Sequence, residues 1–208
     1  MTSTFIATQE EEKLLWRRGY AVVAGIDEVG RGALAGPVVA AAVILPDFDN
    51  IESQNLGLIK DSKTLSEKRR EIAARVIRSI AIAIGIGEVS SSTIDEIGIG
   101  PATSKAMLLA LGDISIRPDY LLIDGNVGLN WESVPCKTII KGDKYCSAIA
   151  AASLIAKVHR DGVMREFSIS YPSYKFDRNK GYGVNDHLTA IEKIGICPIH
   201  RRSFAPIK

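Results

Sequence analysis

Two hydrophobic periods alternate along the chain. Short apolar runs over residues 21–26 and 38–45, the second ended by Pro46, predict strands. Residues 81–89 interleave isoleucines with small residues and predict a strand packed closely on both faces. Runs at 120–123 and 137–140 predict two more short strands. Between these runs the apolar spacing becomes helical. Thr8, with Glu11 three residues later, has the form of a capping box, and Gly19 that of a helix stop. Ser66 is placed to cap a helix to about residue 79, with Ile72, Val76, Ile77 and Ile80 toward the core. Helices are also expected at 92–97, from Pro101 to Gly112, over 144–167, and over 187–194 with a stop at Gly195. Residues 46–60 and 168–184 read as loops. Strands mixed with helices in one chain predict an α/β fold with a mixed sheet.

Composition narrows the class. The 208 residues suit one domain, and 46% hydrophobic with 24% charged residues is the balance of a globular protein with a sizeable core. The net charge of +2 announces no polyanionic partner, but its distribution is uneven. Residues 175–208 carry seven basic side chains (Lys175, Arg178, Lys180, Lys193, Arg201, Arg202, Lys208) against three acids, a local +4 that leaves −2 elsewhere. That stretch is either a solvated tail or a phosphate-binding one. Cys136, Cys146 and Cys197 are odd in number and form no C-x-x-C pair, so reduced thiols are expected, not a disulfide framework or zinc site. The N-terminus, with Glu10, Glu11 and Glu12, is unlike a signal peptide, and the longest apolar run, 38–45, is far short of a membrane span. A soluble cytoplasmic protein is expected.

Acidic residues stand where three predicted strands end: Asp27 with Glu28, Asp124, and Asp143. Taken singly each has a simpler reading: a solvated strand end, a turn residue before Gly125, and a helix N-cap. Taken together, neighbouring strands would bring four carboxylates to one place, where they repel unless a cation neutralises them. Hard oxygen ligands of this kind suit Mg²⁺ or Mn²⁺, and two such ions can drive phosphodiester hydrolysis. One constraint follows. Adjacent residues on a regular strand point to opposite faces, so joint metal binding by Asp27 and Glu28 requires the strand to stop or bulge there. Gly30 and Gly32 would allow it.

The glycines of this loop do not make a dinucleotide site. Gly30, Gly32 and Gly36 are spaced G-x-G-x-x-x-G, carboxylates precede them, and Pro37 leads into a strand. An open Gly-Arg-Gly loop better suits close approach of a sugar–phosphate chain.

The block Gly25-Ile26-Asp27-Glu28-Val29-Gly30-Arg31-Gly32, with Ala35-Gly36-Pro37-Val38, resembles the signature of the ribonuclease HII family. So do Asp61-Ser62-Lys63-Thr64-Leu65-Ser66, Asp124-Gly125-Asn126, Lys141-Gly142-Asp143 and the run 151–158 with Arg160-Asp161. The likeness continues through Asn179-Lys180-Gly181-Tyr182-Gly183, His187, and His200 to Phe204. It implies a ribonuclease H-like mixed sheet flanked by helices, over 1–208 as one domain, with about 168–208 as a basic C-terminal helical extension that binds substrate. It implies hydrolysis of the RNA strand of RNA–DNA hybrids and cutting 5′ to single ribonucleotides in duplex DNA, leaving 3′-hydroxyl and 5′-phosphate ends. Two divalent ions, Mn²⁺ or Mg²⁺, would be held by Asp27, Glu28, Asp124 and Asp143. Gly30, Arg31 and Gly32 would read the 2′-hydroxyl, and Tyr182 would contact the substrate. The resemblance further implies a monomer and roles in DNA replication and ribonucleotide excision repair. The related ribonuclease HIII carries Lys where Arg31 stands and an added N-terminal domain; with some 20 residues before the first strand, that domain is not expected here. Asp143-Lys144-Tyr145-Cys146 is bulkier than the small residues usual after this acid.

Around these residues, Ser153, Lys157 and Arg160 fall at i, i+4 and i+7, one helix face that could contact phosphates or simply be polar. Lys63 could bind phosphate or be a solvated loop cation. Tyr182, between two glycines, is expected as an exposed ring on a pliable loop. His187 and His200 are expected to be structural. Rival readings are a DNA-cutting nuclease or recombinase of the same fold, a non-catalytic hybrid-binding module, and a small phosphoester hydrolase. The loop, the four acids and the basic C-terminal stretch, respectively, speak against them.

Overall fold

The computed structural model describes residues 7–50, 56–59 and 62–207. Asp61 and Lys208 lie outside the described residues. A five-stranded mixed sheet runs in the order β3-β2-β1-β4-β5, built from β1 (Val23–Val29), β2 (Val38–Ile44), β3 (Ala83–Val89), β4 (Tyr120–Asp124) and β5 (Cys136–Ile139). β1 to β3 form an antiparallel meander, while β1, β4 and β5 run parallel. The C-terminal ends of three adjacent strands therefore open on the same edge, and there the predicted acids sit.

Helices cover both faces. α6 (Ser147–Ser170), with α2 (Glu67–Ile80) beside it, packs on one face over Val23, Val39, Ala41, Val43 and Leu122. α4 (Ile99–Asp113) packs on the other over Ile26, Ala40, Ala42, Leu121 and Ile123. Burial of each large aliphatic side chain contributes roughly 1.5–3 kcal/mol. Small residues set the close approach. A Cβ on Gly25 would overlap the main chain of Ala148 in α6, and one on Gly85 or Gly87 would overlap α4 carbonyls. A third cluster, with Ala35, Met164, Tyr174, Phe176 and Cys197, joins the loop after β1 to the C-terminal segment of α7 (Phe176–Asn179) and α8 (Asn185–Ile194).

Ser66 caps α2 by accepting from Arg69 N–H, as the sequence predicts, and Ser90 does the same for α3 (Ser91–Ile97). Pro101 is the third residue of α4, still in the first turn, where its missing N–H leaves no bond unmade. Four expectations are corrected. Thr8 does not cap α1 (Glu10–Arg17); it bridges to Cys146, its carbonyl accepting from Ser147 N–H at 2.9 Å. The expected helix over 144–167 is broken at Cys146, which is extended (φ −114°, ψ 123°) between α5 (Gly142–Tyr145) and α6. The buried Glu12 carboxylate of α1 takes up the Ala148 N–H at 2.7 Å, serving an α6 terminus whose own cap residue offers no side chain. β1 continues to Val29, three residues past its predicted end. Finally, α6 extends through Ser170, so the boundary expected near 168 falls inside a helix.

Candidate active site

β1 pairs regularly with β2 through the two acids, Asp27 opposite Ala41 and Glu28 opposite Ala40, so the strand neither stops nor bulges there. The expected break is absent. Asp27 consequently faces α6, where the Ser153 hydroxyl bonds it, while Glu28 faces the α4 side. Ile26 pairs with Ile123 of β4, and the next step of that register sets Asp27 level with Asp124. β5 is followed by Lys141 in the left-handed region (φ 59°), a turn that aims Gly142 N–H at Asp124 Oδ1, 2.6 Å away. Asp143 comes next, 2% exposed. It lies within α5 and does not cap α6.

Each acid has its own counterweight. Asp27 is 5% exposed and accepts from Glu28 N–H at 2.7 Å. Burial, then the charges of Glu28 and Asp124, hold its carboxyl well above the usual range. Burial also raises Glu28, which the Arg31 guanidinium opposes from 3.1 Å. Burial raises Asp124 against the pull of the Gly142 N–H, and Asp143 adds to the rise. Asp143 Oδ2 meets Lys63 Nζ at 3.0 Å. Among the described residues, no three His, Cys, Asp or Glu side chains are drawn together tightly enough to form a ready metal cage. The donor set nevertheless fits a hard divalent ion: carboxylates that raise one another's affinity for a proton are relieved by a cation in its place. Glu28 and Asp124 also line a cleft of about 240 Å³ with Arg31, Thr103, Met107 and Asn126.

The predicted substrate residues separate into two groups. Gly30 (φ 91°), Arg31, Gly32, Lys63 and Ser153 border the acids; Arg31 and Gly32 are exposed, and Ser153 also contacts Ser62 at 3.2 Å. Lys157 lies one turn further along α6, paired with Asp161 at 2.8 Å. The helix face that Ser153 and Lys157 were expected to share with Arg160 is not a phosphate face at Arg160, which is fully buried. Tyr182 is half-buried, not exposed, with its ring 5.5 Å from the Arg160 guanidinium. Arg201, one of the basic residues expected to meet phosphate, is also fully buried. His187 and His200 are buried, as expected of structural residues, and contact each other at 3.0 Å. Sequence reasoning missed the main-chain role of both arginines, and no local signal marked it, since their carbonyl partners lie between 20 and 170 residues away along the chain.

Acids at the ends of three parallel strands, beside a glycine loop and on this strand order, define an α/β metallonuclease of the ribonuclease H type. The family model for ribonuclease HII matches residues 24–207. The ribonuclease HII of Enterococcus faecalis is 51% identical over 197 residues, covering 95% of this chain and 74% of that protein. Among solved structures, ribonuclease H2 from Pyrococcus horikoshii OT3 superposes with a TM-score of 0.75 at 24% identity, over 90% of this chain and 95% of that one. Bst-RNase HIII in complex with Mn²⁺ has the same fold (TM-score 0.63, 19% identity, 90% of this chain and 68% of that one). This chain belongs to the ribonuclease HII family. It is therefore a type 2 ribonuclease H, a divalent-metal-dependent endoribonuclease acting on RNA–DNA hybrids.

Proposed function

We propose that Asp27, Glu28, Asp124 and Asp143 hold two divalent ions, Mn²⁺ or Mg²⁺, and that the chain uses them to cut 5′ to a ribonucleotide. The carrying observation is the level placement of Asp27 and Asp124 on adjacent parallel strands, with Asp143 one turn beyond the third. When bound, such ions activate a water and stabilise the leaving oxygen of the phosphodiester. The chain's own groups do the rest. Buried Asp27, bonded by Ser153 and the Glu28 N–H, offers a fixed carboxyl at the centre whose ionised form a bound cation would stabilise. Gly142 N–H orients Asp124. Lys63 and Arg31 balance the outer acids and stand ready to exchange that contact for phosphate. Gly30, Arg31 and Gly32 bring main chain close to the sugar, Tyr182 presses on the neighbouring residue, and Ser153 and Lys157 support the backbone beyond.

The substrates in this reading are RNA–DNA hybrids and DNA duplexes with embedded ribonucleotides, met by a monomer whose segment beyond α6 adds contacts. Bst-RNase HIII, of the same fold, was solved with Mn²⁺, which favours that ion here. No helix among the described residues is long and apolar enough to cross a membrane, and the three cysteines are free, which accords with work in the cytoplasm during replication and ribonucleotide excision repair. The test is incubation with a duplex carrying one ribonucleotide. Cutting to a 3′-hydroxyl and a 5′-phosphate is expected with Mn²⁺ or Mg²⁺, none with EDTA, and none of all-DNA duplex. Cutting that survives EDTA would overturn the metal assignment.

A further inference from the structure

Arg160 of α6 and Arg201 near the C-terminus are both fully buried, and among the described residues neither has a carboxylate partner. They lie close enough that the charge of Arg160 acts on Arg201. Two buried cations side by side are costly unless every donor is used. Here main-chain carbonyls take them up. Arg201 Nη1 donates to Arg31 O at 2.8 Å, and its Nε and Nη2 donate to Gly36 O at 3.0 and 2.9 Å. One guanidinium thus brackets both ends of the glycine loop. Arg160 donates from Nη2 to Ala35 O at 3.1 Å, from Nε to Pro37 O at 2.9 Å and from Nη1 to Lys180 O at 2.9 Å. It therefore ties the loop to the turn that carries Tyr182, whose ring lies over it. Gly30 packs directly on the Arg160 side chain, where a Cβ would overlap it. Gly181 O closes the seam by accepting from Leu34 N–H at 2.8 Å and Ala35 N–H at 3.2 Å.

We propose that Arg160 and Arg201 are positioning residues for specificity: they lock the Gly30–Gly32 backbone and Tyr182 into one unit and so set how sharply the site separates a ribonucleotide from a deoxyribonucleotide. The inference rests on the reading of that loop and Tyr182 as the hydroxyl-sensing parts of the site. Hydrogen bonding to a single hydroxyl tolerates little error, and a displacement of about 1 Å is enough to lose most of its effect. A single embedded ribonucleotide offers one register, whereas a long hybrid offers many. Loosening the clamp therefore penalises the first substrate most.

Arg160→Lys and Arg201→Lys keep the charge but cannot reach several carbonyls at once. For variants that keep a cooperative thermal transition, we expect the ratio of kcat/KM on a single-ribonucleotide duplex to that on a long hybrid to fall by at least about tenfold. Arg160→Lys should lower that ratio by less than about threefold further when Tyr182 is already Ala, because both changes act on one unit. An unchanged ratio, equal losses on both substrates, or additive losses would each overturn the clamp. Should the Lys variants not fold, amide exchange on the unaltered protein decides. Leu34, Ala35, Gly36 and Arg201 amides should be protected like those of β2, and free exchange would show that the loop is not held. If Tyr182→Ala itself leaves the ratio unchanged, the hydroxyl-sensing reading fails; if it moves the ratio and the arginine changes do not, only the clamp fails.

Discussion

Asp27 and Glu28 are consecutive on an unbroken strand, so their carboxylates leave opposite faces of the sheet, yet both feel the charge of Asp124 at the end of the next strand. The relationship shows how, in the proposed metal site, adjacent acids would serve together without a bulge. β4 ends at Asp124, level with Asp27, while β1 runs on to Val29 paired with β2, so beyond Asp124 no strand on that side of β1 separates the two faces. Glu28 reaches the common edge from the α4 side and Asp27 from the α6 side.

The first prediction concerns Asp27→Asn. Asparagine keeps the acceptor for Glu28 N–H and removes the charge. Outer-shell changes alone usually cost metal enzymes about 10–100-fold, so loss of this group should cost more than about 100-fold in kcat/KM. Stability should move the other way. A carboxyl raised in the folded state carries no penalty below its unfolded value near 3.8; the penalty grows as pH climbs from there through the raised value and is complete above it. At neutral pH without metal the variant should therefore melt higher, by about 2–4 °C per kcal/mol relieved. Mn²⁺ should raise the melting temperature of the unaltered protein more than that of the variant. Calorimetry with EDTA and with Mn²⁺ checks both; a variant that melts lower in EDTA would show that Asp27 is not strained.

His200 gives the opposite pH signature. Burial, then the neighbouring His187, pull it down to about 4. Cys197 N–H donates to His200 Nδ1 at 2.9 Å, so the ring's own proton sits on Nε2 and points to His187. A base lowered in the folded state gives stability that is whole above its unfolded value near 6.5 and is lost as pH falls from there to about 4. The loss should approach roughly 3 kcal/mol. Urea denaturation between pH 7 and 4.5 should show a midpoint falling with acid, and His200→Gln should flatten that fall. Parallel curves for the two proteins would remove His200 as its source.

How far this was readable from sequence depends on the range of the forces. The presence of the five strands, the Ser66 cap and the Gly195 stop are local, set by side-chain period and one or two residues, and they stand as predicted, although β1 runs three residues past its expected end. The acids were legible because apolar runs end at them. The strand order that brings them level was not, since it depends on contacts 97 residues apart such as Val22 with Asp119. The Thr8 capping box failed because a long-range bridge to Cys146 outcompeted a local hydrogen bond. Arg160 and Arg201 are open in sequence to a phosphate-contact or a solvated reading, both surface roles, because charge normally means surface; only the fold reveals carbonyls pointing inward to meet them.

That misreading changes the expectation for the C-terminal segment. Removal of everything after Gly195 deletes Arg201, the Ala35–His200 bridge and part of the third cluster, so it should lower the melting temperature and not simply weaken binding. The clean probe of phosphate contact is Arg202, whose side chain is exposed while its N–H is held by Asp95 at 2.8 Å. Arg202→Ala should leave stability within about 0.5 kcal/mol. If the side chain neutralises one phosphate, the slope of log K against log salt should shrink by about 0.9. An unchanged slope would mark this arginine as solvated surface.

The last prediction concerns the choice between one ribonucleotide and none. A DNA duplex with a single embedded ribonucleotide differs from all-DNA duplex by one 2′-hydroxyl, so the site must read that group directly. The Gly30–Gly32 main chain is available for it: Gly32 is exposed with no atom near where a Cβ would be, and Gly30 is held from below. Tyr182 stands on the same clamped unit, with Asn179 O accepting its N–H at 3.0 Å and its carbonyl bonded by His187 at 2.9 Å. It can therefore press on the neighbouring sugar from a fixed height. A site built to bond a hydroxyl rejects the analogue lacking it by up to about 10⁴–10⁵. Tyr182→Ala removes the second test of the junction and leaves the acids untouched. It should lower kcat/KM on the single-ribonucleotide duplex at least about tenfold more than on a long hybrid, where several hydroxyls offer alternative registers. Steady-state cleavage of the two substrates in parallel measures this. Equal losses would refute the role of Tyr182, and cutting of all-DNA duplex by the unaltered protein at a comparable rate would refute direct reading of the hydroxyl.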